Sequence, residues 1–152
     1  MTDLSLRSHP LVSVEEDGMV PLSGFPHAEE IGLRMRPDGV GKVLVTVPYD
    51  EKLVGDIESG VVHGAVVTTI LDTGCGIASI SRTGLLGGIA TLDLRIDYMR
   101  PSKPGMMLKA SCECYRVTRS IAFTRGFAYD DDPDDPVATA AGAFMITQKD
   151  RS

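Results

Sequence analysis

An α+β fold, with one long helix against a mostly antiparallel sheet of five to six strands, is what this 152-residue sequence predicts. Two observations carry the prediction. Apolar residues recur at helical spacing in one stretch, Val61 to Arg82, and alternate with period 2 in the runs before and after it. Turn signals separate the strand-like runs: Pro37-Asp38-Gly39, Pro104-Gly105 and the DDDPDDP segment at 130–136.

Residues 1–26 carry Pro10, Gly18, Pro21, Gly24 and Pro26 and read as an irregular N-terminal arm with room for one short helix. Residues 27–148 form the domain. Ile31, Leu33 and Met35 alternate with Gly32, Arg34 and Arg36, and Lys42 to Pro48 returns after the Pro37 turn, which makes a hairpin. In the helical stretch, Val66, Val67, Ile70, Leu71, Gly74, Ile77 and Ala78 share one broad face. A helix of about 19 residues is nearly 30 Å long. The opposite face holds Ala65, Thr68, Asp72, Cys75, Gly76 and Ser79, small residues where an exposed helix usually carries Lys and Glu. That face is therefore expected to be covered too, by sheet or by another subunit. Asp72 is the one acid in the segment. Leu92, Leu94, Ile96 and Tyr98 then alternate with Thr91, Asp93, Arg95 and Asp97, a long strand with an apolar and a polar face. Met107–Thr118, Ile121–Tyr129 and Val137–Thr147 add three strands, giving the order β-β-α-β-β-β-β.

A formal net charge of −6 argues against non-specific nucleic-acid binding, which needs Lys and Arg to neutralise phosphates. The three cysteines, Cys75, Cys112 and Cys114, match neither a redox CxxC nor a zinc set, and favour a reducing compartment. The first residues show no signal-peptide pattern, and no run approaches the ~20 apolar residues of a membrane span. The expectation is a soluble cytoplasmic protein that engages no membrane.

The stretch Gly60-Val-Val-His63-Gly64-Ala65-Val-Val-Thr-Thr-Ile-Leu-Asp72 resembles the PaaI-type thioesterases of the hotdog superfamily, whose pattern is His-Gly-Gly with a carboxylate nine residues after the His. The strand from Thr91 to Pro101, followed by Pro104-Gly105, and the segment Arg119 to Phe123 also look like the family's next elements. The three motifs in order, over roughly residues 28–147, make the signal specific. The resemblance implies a hotdog fold, one central helix wrapped by the sheet. It also implies hydrolysis of acyl- or aroyl-CoA thioesters without a metal or organic cofactor, in a homodimer or homotetramer whose active site lies between subunits. On the same resemblance Asp72 is the general base or nucleophile, and burial would make such a carboxylate a better proton acceptor. His63 starts the helix, and the backbone N–H groups of Gly64 and Ala65 are unpaired helix-end donors for an oxyanion. Thr91 offers a hydroxyl that in relatives faces the site from the other subunit. Arg119, with Arg100 and Lys103, is the implied contact to the CoA phosphates.

Two positions depart from the family pattern. Ala65 replaces a second Gly, so a methyl group narrows the approach, and Ile57 stands where relatives carry an Asn or Gln. The other candidates have blander readings. Cys75 lies twelve residues from His63 on one helix, about 18 Å along the axis, so it is a packing residue and not a nucleophile. For His63 a positioning role is favoured over direct chemistry. The 130–136 loop lacks the Gly and Glu of an EF-hand and reads as a solvated turn, not a calcium site. Two other activities stay open. Non-hydrolytic acyl-CoA binding is kept alive by Ile57, and an enoyl-CoA hydratase or dehydratase fits the carboxylate spacing poorly.

Overall fold

A computed structural model describes residues 17–85 and 88–147. Its elements are β1 (Val20–Pro21), α1 (Pro26–Glu30), β2 (Arg34–Pro37), β3 (Lys42–Val47), β4 (Val54–Asp56), β5 (Val61–Val62), α2 (Gly64–Thr83), β6 (Ile89–Tyr98), β7 (Leu108–Val117), β8 (Ile121–Tyr129) and β9 (Ala138–Ile146). The main sheet is antiparallel, in the order β1-β2-β3-β7-β8-β9-β6, and β4 pairs with β5 in a separate ribbon. The sheet thus has seven strands, not five to six. The added strand is β1, whose two residues pair Val20 with Met35 and Pro21 with Arg34. Two residues carry no period, so alternation could not reveal it. Of the expected irregular arm, residues 1–16 lie outside the described residues, and the remainder supplies β1 and the start of α1.

The sheet wraps α2. Val66, Val67, Ile70, Leu71, Cys75 and Ala78 are buried against Val43, Val45 and Val47 of β3 and Ala110 and Cys112 of β7. Gly74 lets the helix come this close: a Cβ there would stand 2.6 Å from the Cys112 sulfur and 3.2 Å from Val45 Cγ2. With Gly74→Ala either the Cys112 side chain or the helix must give way. By length and composition alone α2 also meets the measure of a membrane span, as core helices of folded domains do. Its apolar face, however, is the face buried in the core.

The small-residue side of α2 divides in two. Cys75 and Ser79 turn into the core, where Ser79 Oγ donates to the Cys75 carbonyl at 3.0 Å. Ala65 stays exposed, and Thr68, Asp72, Thr73 and Gly76 are only half-buried. Beside this open face runs β6, ten residues long and paired on one side only, with β9. Its free side is an unprotected edge of the kind that proteins normally pair or cover.

Candidate active site

The site grows from the seam between α2 and β6. Ile89, Leu94 and Ile96 pack onto the core, and Thr91 Oγ1 and the Tyr98 hydroxyl both reach α2. Odd and even residues can share one face because the register with β9 slips between Thr91 and Asp93, making Leu92 the extra residue of a β-bulge. Simple alternation assigns Thr91 to the polar face. The bulge returns it to the helix side, where its hydroxyl donates to Asp72 Oδ1 at 2.8 Å. This pair lies within one chain. Asp72 Oδ2 has no hydrogen-bond partner among the described residues. A carboxylate with one oxygen held and one free is oriented yet still able to take a proton or attack.

The first turn of α2 is capped by His63, whose Nδ1 accepts from the Ala65 N–H at 2.9 Å. An accepting Nδ1 leaves the ring proton on Nε2. The His63 N–H donates to the Leu53 carbonyl at 2.8 Å, and the Val66 N–H to the His63 carbonyl at 2.9 Å. Only Gly64 keeps a first-turn N–H without a partner among the described residues. The expected pair of oxyanion donors therefore reduces to one, because the imidazole has taken the Ala65 amide. The imidazole is seated by Gly55, where a Cβ would meet His63 Cα at 3.0 Å and Cδ2 at 3.2 Å. Ile57, in the turn between β4 and β5, is 94% exposed and touches nothing in the site.

Gly64 and Asp72 are eight residues apart on α2, about 12 Å along the axis. Within one chain they cannot serve a single carbonyl. The expected phosphate contacts are dispersed as well. Arg119 stands in the β7–β8 turn, at the end of the sheet where β6 begins, since Ser120 accepts from Ile146 and Ile146 pairs with Ile89. Arg100 and Lys103 follow β6 at its other end. Arg119 makes no ion pair with the described residues.

Arg100 is committed elsewhere. Its guanidinium forms two bonds to Asp130, at 3.0 and 2.7 Å, and a 3.1 Å ion pair with Asp135. Asp130 is 1% exposed and also accepts from the backbone N–H groups of Lys103 and Asp131, both at 2.7 Å. It is therefore a structural anchor and not part of a solvated turn. A phosphate would have to break a bidentate buried pair to claim Arg100. The same pairing holds the Asp130 carboxyl well below the usual carboxylate range. Asp130→Asn should cost about 3 kcal/mol, because it removes the negative charge and one oxygen of the bidentate pair from a buried position. In a chain of this size that lowers Tm by roughly 6–12 °C. A folded-state pKa below the unfolded value, near 4, contributes stability above about pH 4 that is lost as the pH falls further. Urea melts should accordingly show the full gap between wild type and variant at pH 7 and a narrowing gap below about pH 4.

Three interacting groups had no signal in the sequence. The Tyr98 hydroxyl contacts Thr68 Oγ1 and donates to the Gly64 carbonyl at 3.2 Å. Thr68 is one helical turn before Asp72, on the same face. His27 Nε2 lies 3.3 Å from Thr69 Oγ1, whose own proton goes to the Ala65 carbonyl, so the imidazole is the donor. Between Tyr98, Gly64 and the loop after β6 there is a cavity of about 320 Å³, with Val62, Val67, Met99 and Val137 in its walls.

Residues 59–137 match the model of the thioesterase superfamily. A Pseudomonas aeruginosa protein of known crystal structure is 44% identical, with a TM-score of 0.75, over 83% of this chain and 93% of that one. The medium/long-chain acyl-CoA thioesterase YigI of Salmonella typhimurium is 25% identical over 62% of this chain and 68% of its own. A variant of the phenylacetic acid degradation protein PaaI from Thermus thermophilus shares the fold, with a TM-score of 0.69 and 24% identity over 80% of this chain and 99% of that one.

Proposed function

The chain belongs to the thioesterase superfamily, as a hotdog-fold protein of PaaI type, and from that premise we propose that it hydrolyses acyl- or aroyl-CoA thioesters to free acid and CoA. The observation that carries the reading is the Asp72 carboxylate on the open face of α2, with Oδ1 held by Thr91 and Oδ2 free. Asp72 takes a proton from water as the water oxygen attacks the thioester carbonyl. The oxyanion accepts from a Gly64 N–H, and its collapse expels the CoA thiolate, which regains the proton from Asp72. In the nucleophilic variant Oδ2 attacks directly, and water then cleaves the mixed anhydride. Neither route draws on a metal or an organic cofactor. His63 is a positioning residue, since its Nδ1 is spent on the helix cap.

The 12 Å offset between Gly64 and Asp72 supports a homodimer, or a homotetramer, with the site between subunits. A second copy lying antiparallel across the β6 edge would set its Gly64 against this chain's Asp72 and bury the half-open carboxylate. YigI supports an acyl-CoA substrate. Three unpaired cysteines support a cytoplasmic setting.

Arg119 is the remaining choice for the CoA phosphates. Arg119→Ala is expected to raise KM for acyl-CoA several-fold and to leave a truncated pantetheine thioester, which lacks those phosphates, unaffected. Equal loss on both substrates would remove Arg119 from the nucleotide site.

The loss of the Ala65 donor favours a second reading, binding of acyl-CoA without hydrolysis. CoA release from aliphatic, phenylacetyl and hydroxybenzoyl thioesters decides between the two. Turnover on any of them supports the hydrolase, and tight binding with no release supports the binder.

A further inference from the structure

The cavity beside Gly64 holds a polar side chain that the fold leaves unsatisfied. Three side chains in its walls carry polar groups. The Tyr98 hydroxyl is tied to Thr68 and Gly64, and the Arg100 guanidinium to Asp130 and Asp135. The third is Ser102. It is 4% exposed, and its hydroxyl is buried without a hydrogen-bond partner among the described residues. A buried hydroxyl left unpaired is destabilising, and native folds rarely keep one. The loop also resists swinging it out to water. Arg100, two residues before it, holds Asp130 through two bonds, and the Lys103 N–H, one residue after it, donates to the same carboxylate at 2.7 Å. Ser102 is thus fixed in the cavity wall with a donor and an acceptor both unused.

What meets this hydroxyl follows from the chemistry of a CoA thioester, and so rests on the thioesterase reading above. The cavity also meets the unpartnered Gly64 N–H, where the thioester carbonyl would sit. At about 320 Å³ it admits only the part of the substrate next to that carbonyl. Two groups flank the carbonyl. An aliphatic or phenylacetyl chain has no polar atom to offer and would leave the hydroxyl unpaired. The sulfur side carries the cysteamine end of pantetheine, whose amide nitrogen lies four bonds from the carbonyl carbon in every acyl-CoA. An amide taken out of water needs a partner of its own. The antiparallel second copy described above also brings its Arg119, the choice for the CoA phosphates, to the end of β6 where Ser102 stands. We propose that Ser102 is a substrate-binding residue: its Oγ accepts from the cysteamine amide N–H of the pantetheine arm while the thioester carbonyl lies at Gly64.

Two small thioethers that differ at this N–H alone test the assignment. One is S-hexyl-N-acetylcysteamine, and the other is its ketone analogue, in which a methylene replaces the N–H. Neither contains a thioester to cleave. Affinities are read by calorimetric displacement of S-hexyl-CoA from the full chain. In the wild type the amide should bind about 3- to 10-fold tighter than the ketone, the usual net contribution of one hydrogen bond. In Ser102→Ala the two should bind within about twofold of each other, and the ketone should not distinguish variant from wild type. Because the lost hydroxyl has no partner in the free protein, Ser102→Ala should melt no lower than wild type. An amide preference that survives in Ser102→Ala, no preference in the wild type, or probes that fail to displace S-hexyl-CoA would overturn the assignment. A variant that melts clearly below wild type would make the hydroxyl structural and overturn it as well. Because binding is read directly, a collapsed ratio without turnover defeats only the hydrolase reading, and an unmoved ratio with full turnover defeats only the role of Ser102.

Discussion

Replacing Asp72 with Ala is expected to lower kcat by about 10²–10⁴-fold, the usual contribution of a positioned general base, and by more if the carboxylate is the nucleophile. The protein should stay folded. Asp72 is half-buried, and its one hydrogen bond is to a hydroxyl on an exposed strand residue, so water can replace it at a cost of about 1 kcal/mol or less. Binding of an acyl-CoA thioether should persist, since Asp72 acts on the reacting atoms only. Ala is a sharper probe than Asn, whose amide can still orient water. Near wild-type turnover in a folded Asp72→Ala protein would dispose of the catalytic assignment. Joint loss of fold and activity would make the acid structural.

Gly64→Pro is expected to cost about 10²–10³-fold in kcat, because it deletes the one unclaimed amide at the start of α2. The local backbone accepts the change. Gly64 is the first helical residue, where proline is favoured, and His63 already has φ −59° and ψ 137°, the extended form a residue before proline adopts. The nearest atom to a new Cβ is Tyr98 Cε1 at 3.7 Å, an ordinary contact. Combining the two variants tests the intersubunit site. If Asp72 of one copy works with Gly64 of the other, a hybrid dimer of Asp72→Ala and Gly64→Pro chains holds one intact site and one doubly damaged site. Equal mixing with free exchange makes half the dimers hybrid, so about a quarter of wild-type activity should return. If each site lay within one chain, no hybrid would have an intact site and the mixture would stay inactive.

Much of this architecture is legible in local pattern. Period 3.6 marks α2, and period 2 marks β2, β3 and β6 to β9, because both arise from neighbouring residues of one segment. Asp72 stands out as the only acid in an otherwise small and apolar helix, and the His63-to-Asp72 spacing can be read without coordinates. What the sequence by itself determined is therefore the elements, their order and the central carboxylate.

Tertiary structure decided the partners. Thr91 reaches Asp72 only because the register against β9 slips at Leu92, and a bulge depends on two strands far apart in the chain. The Ala65 amide is lost to His63 because Gly55, on a different strand, seats the imidazole over it. Arg100 looks like a surface cation until the chain brings a buried Asp130 against it, thirty residues later. Tyr98 reads as one more apolar strand residue, and its hydroxyl is tied to the Gly64 carbonyl only when β6 is laid beside the first turn of α2. In each case the deciding contact is non-local, and side chains of one type take opposite roles according to what the fold sets opposite them.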